Sequence, residues 1–179
     1  MADRKLQLTL NGQPVVTEVV PDDLAMLDYL HEYQNLTGSR LGCGQGICHA
    51  CVVIVDNPDG TCEEVRTCIT GAHYFEGKKV RTIEGHAQLD DAGNPVALSP
   101  IQQKFVERFA FQCSYCAPGF VNAATVLVEN AQRKPLKKSE LEGAIEASLG
   151  HHVCRCTGYV RYYEATRDVL GDLGLVKEG

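Results

Sequence analysis

Nine cysteines in 179 residues set the first constraint on this chain. Eight fall into two tight groups: Cys43-x4-Cys48-x2-Cys51 with Cys68 beyond, and Cys113-x2-Cys116 with Cys154-x-Cys156. Thiols separated by one to four residues converge on one point more easily than they pair into separate bridges. The spacing is that of metal ligands rather than of a disulfide framework. The odd count argues the same way. So does the start, Met1 to Thr9, which has no apolar run and no arginine pair and is read as lacking an export signal.

Composition narrows the function classes. Seventeen basic against 23 acidic residues leave a net charge of −6, and no Lys/Arg stripe offsets it, so a phosphate-tracking nucleic-acid binder is excluded. No apolar run approaches the roughly 18 residues of a membrane span. The expectation is a soluble cytoplasmic protein, with export alongside a signal-bearing partner as the alternative.

Hydrophobic periodicity divides the chain. Leu6, Leu8 and Leu10 alternate with polar neighbours before Asn11-Gly12, a favoured hairpin turn, and Val15 to Val20 returns as a second strand. Leu24, Leu27, Leu30 and Tyr33 recur at helical spacing. Cys51 to Val55, Val65 and Val80 to Ile83 supply further strands. After a polar connector the period changes. Ser99-Pro100 reads as N-cap and first helical residue, Pro118-Gly119 opens a second helix, and Ser139 to Glu142 fits a capping box for a third. A fourth runs from about Tyr162 through Leu170. The fold class is α+β, with residues 1–84 as a small sheet domain, 85–98 as connector and 99–179 as a four-helix bundle.

The first cysteine group has the plant-type iron–sulfur spacing, three ligands on one loop and a fourth from elsewhere. Gly42, Gly44 and Gly46 let backbone amides turn toward the sulfurs and offset the negative charge of a four-thiolate cluster. Zinc favours paired C-x2-C knuckles and suits this loop less well. Cys62 and Cys68 both compete for the fourth position. Cys68 is preferred because a returning strand brings it back to the loop, whereas Cys62, just after a Pro-Asp-Gly turn, reads as a solvent-facing loop thiol. In the second group helix ends hold four thiols, and Pro118 and Arg155 suit an anionic cluster. Zinc stays open there. His151-His152 beside Cys154 invites a Rieske-type reading, but four thiols are already at hand. A surface or hydrogen-bonding role fits better, and His49 reads as a solvent-side residue.

Leu41 to Cys51, Val80 to Gly85, Gln112 to Gly119 and Cys154 to Tyr159 occur in an order that resembles the iron–sulfur subunit of the molybdenum hydroxylases, the xanthine oxidase and aldehyde oxidoreductase family. The resemblance covers nearly the whole chain. It implies a ferredoxin-like (β-grasp) domain and a four-helix domain, each with one [2Fe–2S] cluster. The ligands would be Cys43, Cys48, Cys51 and Cys68 for one, and Cys113, Cys116, Cys154 and Cys156 for the other. It further implies a large molybdopterin-binding partner, contacted through Gln112 and Cys156, and a flavin (FAD) subunit, a haem cytochrome or a quinone as acceptor. Gln112 as a plain helix cap is the alternative. The reaction implied is hydroxylation or oxidation of an aldehyde or N-heterocycle on the partner's molybdenum, with no catalytic residue in this chain. The rivals are a free-standing two-cluster ferredoxin or redox sensor, and a zinc-binding structural module. The chain departs from the family at His49 and Ser114, where glycine is usual, and at His151-His152, where Gly-Asn is usual.

Overall fold

A computed structural model describes residues 3–178. Strands β1 (Asp3–Leu10) and β2 (Gln13–Pro21) form an antiparallel hairpin. Its turn residues Asn11 and Gly12 both take positive φ, +50° and +81°, the geometry that matches strand twist. The α1 segment (Met26–Asp28) runs on into a π-helical turn over Tyr29–Tyr33. Strands β3 (Val52–Asp56), β4 (Cys62–Arg66) and β5 (Lys79–Arg81) complete a five-stranded sheet of order β2-β1-β5-β3-β4, with β1 parallel to β5. Leu6, Leu8, Leu10, Val53, Val55 and Val80 point to one face and bury Met26, Tyr29, Leu30 and Phe75 against it. The Tyr29 hydroxyl is held by Thr17 at 2.8 Å and Gln34 at 2.9 Å, so the ring's polar tip is satisfied inside the core.

The stretch expected as a plain connector contains a short ribbon, β6 (Gln88–Leu89) with β7 (Pro95–Ala97). Helix α2 (Pro100–Glu107) begins with Ser99 and Gln102 exchanging hydrogen bonds, so its start is capped as expected. Helix α3 (Ala117–Arg133) is followed by β8 (Leu136–Lys137), α4 (Leu141–Leu149), α5 (Val160–Asp172) and β9 (Val176–Lys177). Ser139 is not the cap of α4. A 3-10 turn over Lys138–Glu140 leads into that helix, and the Glu140 carboxylate accepts the Lys137 N–H at 3.1 Å. Phe120 and Tyr162 stack with ring centroids 4.0 Å apart at the centre of the helical core.

Helix α3 joins the two halves. Val52 and Ile54 face away from α1, and α3 lies across β3 and β4 on that side. Asn122, fully buried, donates to the Val52 carbonyl at 2.7 Å and accepts from His86 at 2.8 Å. Arg81 on β5 grips Glu129 on α3 with two bonds of 2.7 Å and Asp56 on β3 with a third. Bidentate pairing of this kind fixes orientation as well as distance.

Cys62 is not solvent-facing. It opens β4, is 8% exposed, and donates to Glu129 at 3.3 Å. The expected loop position overlooked α3, which covers that end of the strand. His49 is likewise half-buried, its ring 4.9 Å from that of His152.

Gly119 marks how closely the halves approach. A Cβ placed there would stand 2.5 Å from the His49 carbonyl oxygen, which is backbone and cannot swing aside. Gly119→Ala should therefore destabilise the fold by about 2 kcal/mol and lower Tm by about 4–8 °C. Gly143→Ala, on the exposed face of α4 with nothing within 4 Å, should leave Tm unchanged or raise it slightly. Thermal melts of the two variants side by side check both signs.

Candidate metal centres

The loop over residues 41–51 bends through Gly44 and Gly46, both at positive φ, and through His49 at +58°. This turns three amides onto one sulfur. Gln45, Ile47 and Cys48 N–H lie 3.4, 3.4 and 3.5 Å from Cys43 Sγ. They pull the Cys43 thiol down to about 6, the Gln45 and Cys48 bonds contributing most. Gly42 is required by space, since a Cβ there would meet Cys48 Sγ at 2.7 Å. Cys51 closes the loop at the foot of β3, where burial pushes its thiol up to about 11.

Cys68 completes this group. It stands close enough that its charge raises both Cys51 and Cys48, whose thiols are each pushed up first by burial. The neighbouring Thr67 hydroxyl ties the turn to the Cys51 carbonyl at 2.7 Å. Cys62 stands at the opposite end of β4, paired with Asp56, and belongs to the Arg81–Glu129 cluster instead. Burial and the Glu129 carboxylate push its thiol up to about 12.

The second group assembles from two loops. Cys113 and Cys116 lie between α2 and α3, Cys116 as the residue before the helix, while Cys154 and Cys156 lie between α4 and α5. Cys113 and Cys156 sulfurs are 3.5 Å apart, and Cys154 adds to the burial that pushes the Cys116 thiol up to about 11. Ser114 and Tyr159 take positive φ, +63° and +70°, as these tight turns demand. Hydroxyls reach the two inner sulfurs, Tyr162 to Cys116 at 3.5 Å and Thr157 to Cys154 at 3.0 Å. Tyr162 is wholly buried. The group is half sunk and half open: Cys116 and Cys154 are buried whereas Cys113 and Cys156 are exposed.

Gln112 is exposed beside Cys113, five residues past the end of α2. It does not cap that helix. The last turn is closed by Arg108 N–H on the Lys104 carbonyl and Ala110 N–H on the Phe105 carbonyl. His151 and His152 do not join the second thiol group either. The buried His152 ring bonds Glu64 on β4 at 3.0 Å. One backbone bond links the two groups: Val153 N–H donates to the Cys48 carbonyl at 3.1 Å, and Val153 adjoins Cys154. Sequence spacing had no means of finding Tyr162 or Glu64, because their partners lie 46 and 88 residues away.

Residues 8–74 match the family model of the 2Fe-2S iron-sulfur cluster binding domain, and residues 82–167 that of the [2Fe-2S] binding domain. The nicotine 6-hydroxylase small subunit of Paenarthrobacter nicotinovorans is 38% identical over 149 residues, covering 83% of this chain and 79% of its own. The xanthine dehydrogenase iron-sulfur-binding subunit of Escherichia coli O157:H7 is 36% identical over 154 residues, 86% of each. The chain belongs to the iron–sulfur small subunits of the molybdenum hydroxylases. Among solved structures, a chain of quinoline 2-oxidoreductase from Pseudomonas putida 86 superposes with a TM-score of 0.79 over 96% of both chains, at 27% identity. As a member of this family the chain is an electron-transfer subunit of an oxidoreductase. No helix among the described residues is long and apolar enough to cross a membrane.

The contrast between the thiols is directly measurable. Cys62 should resist iodoacetamide in the folded protein at pH 8, well below the point at which its thiol ionises, and should react once urea exposes it. Peptide mapping by mass spectrometry reads the outcome.

Proposed function

We propose that Cys43, Cys48, Cys51 and Cys68 hold one [2Fe–2S] cluster and that Cys113, Cys116, Cys154 and Cys156 hold a second. The donor sets fit such groups. Each brings four thiols together, and each surrounds them with hydrogen-bond donors, three amides on Cys43 and two hydroxyls on Cys116 and Cys154. Such donors stabilise negative charge on sulfur and set reduction potential. Bound there, the clusters supply one-electron carriers. The observation that carries the reading is the Val153–Cys48 bond, which joins the two sets through a single backbone contact.

On this reading residues 1–84 form a β-grasp ferredoxin-like domain, 85–98 the connector and 99–179 the four-helix domain. The exposed pair Cys113 and Cys156, with Gln112 between exposed Phe109 and Tyr115, faces a large molybdopterin-binding subunit. The Gln112 amide offers both donor and acceptor to a polar pterin edge, and Cys156 Sγ offers an acceptor. Nicotine, xanthine and quinoline, named in the relatives, are all nitrogen heterocycles. An N-heterocycle or an aldehyde is the corresponding substrate class for the complex. A flavin subunit or a cytochrome takes the electrons onward.

Metal analysis of the purified complex should give four irons and four sulfides per chain. Cys68→Ser should lose about half of the iron while Cys62→Ser retains all of it; zinc in place of iron at the thiols, or the reverse pattern, refutes the assignment. Gln112→Leu should slow reduction of the metal centres by substrate about tenfold, the rate equivalent of one hydrogen bond worth about 1.4 kcal/mol. Reduction by dithionite should be unaffected, and stopped-flow absorbance compares the two.

A further inference from the structure

Between the two thiol groups lies a second kind of donor cluster that neither group uses. His49 comes from the first cysteine loop, Glu64 from β4, and His152 from the loop before Cys154. One ligand-capable atom from each lies within 4.8 Å of the other two. His152 is 3% exposed, its ring packed against Phe120 at 5.1 Å and edge-on to His49 at 4.9 Å. Its Nε2 is aimed at Glu64 Oε2, 3.0 Å away.

We propose that His49, Glu64 and His152 bind one divalent cation of borderline softness, Zn2+ foremost, at the seam between the two halves. Two imidazoles and a carboxylate are a donor set that zinc accepts, and the thiols that would select softer metals point elsewhere. The geometry is close to what is needed. Bonds of 2.0–2.1 Å to a tetrahedral ion place neighbouring ligand atoms about 3.3 Å apart, and the His152–Glu64 pair already stands near that edge length. The ion takes the place of the proton these two atoms share, and that proton leaves to solvent. His49 closes the third position by a small ring rotation, for which its half-exposed side chain has room.

The site is open on one side. A cavity of about 350 Å³ reaches it, lined by His49, Glu64, Arg66, Ser148 and His151. This gives an ion a route in and leaves space for a water or the His151 ring as fourth ligand, the His151 and His49 centroids being 6.0 Å apart. Arg66 is the one Lys or Arg among the described residues of the wall, and its guanidinium donates to the Gly46 carbonyl at 3.0 Å. Because the three ligands come from both sides of the seam, the bound ion cross-links the halves beside the Val153–Cys48 bond. Binding that requires the folded arrangement stabilises it by mass action.

The test uses the iron-loaded complex, washed with EDTA while its visible absorbance is followed, then titrated with ZnCl2 by calorimetry. The expected result is one Zn2+ per chain with unchanged iron content and visible spectrum, and a higher Tm. Glu64→Gln and His49→Gly should each weaken binding at least tenfold. Both positions are partly exposed, so both variants keep the buried packing, and the visible spectrum verifies that they fold. No zinc uptake, uptake at the expense of iron, or unchanged affinity in both variants overturns the proposal.

Discussion

Everything functional in this molecule depends on how α3 seats against the back of the sheet. The contact is specified by polar groups rather than by area alone. Asn122 spends its amide on the Val52 carbonyl and on His86, and Glu129 spends its carboxylate on Arg81 and Cys62. Burial alone would raise Glu129, yet the Arg81 guanidinium outweighs it and holds the carboxyl below its usual range. A slip of one residue along the helix would leave the buried Asn122 amide without its partners, at a cost of about 1–3 kcal/mol, and would break the Arg81–Glu129 pair as well. The register is thereby fixed. With it come the close pass of Gly119 under His49 and the bond from Val153 to Cys48, which set how far apart the two thiol groups lie.

The two thiol groups solve one electrostatic problem by different means. The first uses the loop itself: glycines at positive φ aim three amides at Cys43, and these hold its thiol below the usual range. In the second, side-chain hydroxyls reach the inner sulfurs, Tyr162 from the middle of the helical core to Cys116 and Thr157 from the turn that carries Cys156 to Cys154. The outer pair, Cys113 and Cys156, is left at the surface.

Local signals were readable from the chain and non-local ones were not. The first hairpin was legible because Leu6, Leu8 and Leu10 alternate before Asn11-Gly12, and the start of α2 because Ser99-Pro100 is a self-contained signal. That Cys68 lies beside the first loop was within reach, since only strand direction was needed. The burial of Cys62 was hidden, because it comes from α3, some 67 residues later. The partnering of His152 with Glu64 was hidden in the same way, and so was the parallel pairing of β8 with β9 across 40 residues. Ser139 failed for a different reason. It matches the capping pattern, but a 3-10 turn starting one residue earlier moves the chain out of register with it.

Beside the eight thiols gathered into two groups the chain carries a ninth, Cys62, which on the proposed assignment holds no iron. Here that thiol is sequestered by the same carboxylate that pins the two halves together. Seating of α3 is therefore what withdraws the Cys62 sulfur from solvent, and the same contact that sets the spacing of the two thiol groups keeps the ninth thiol out of both.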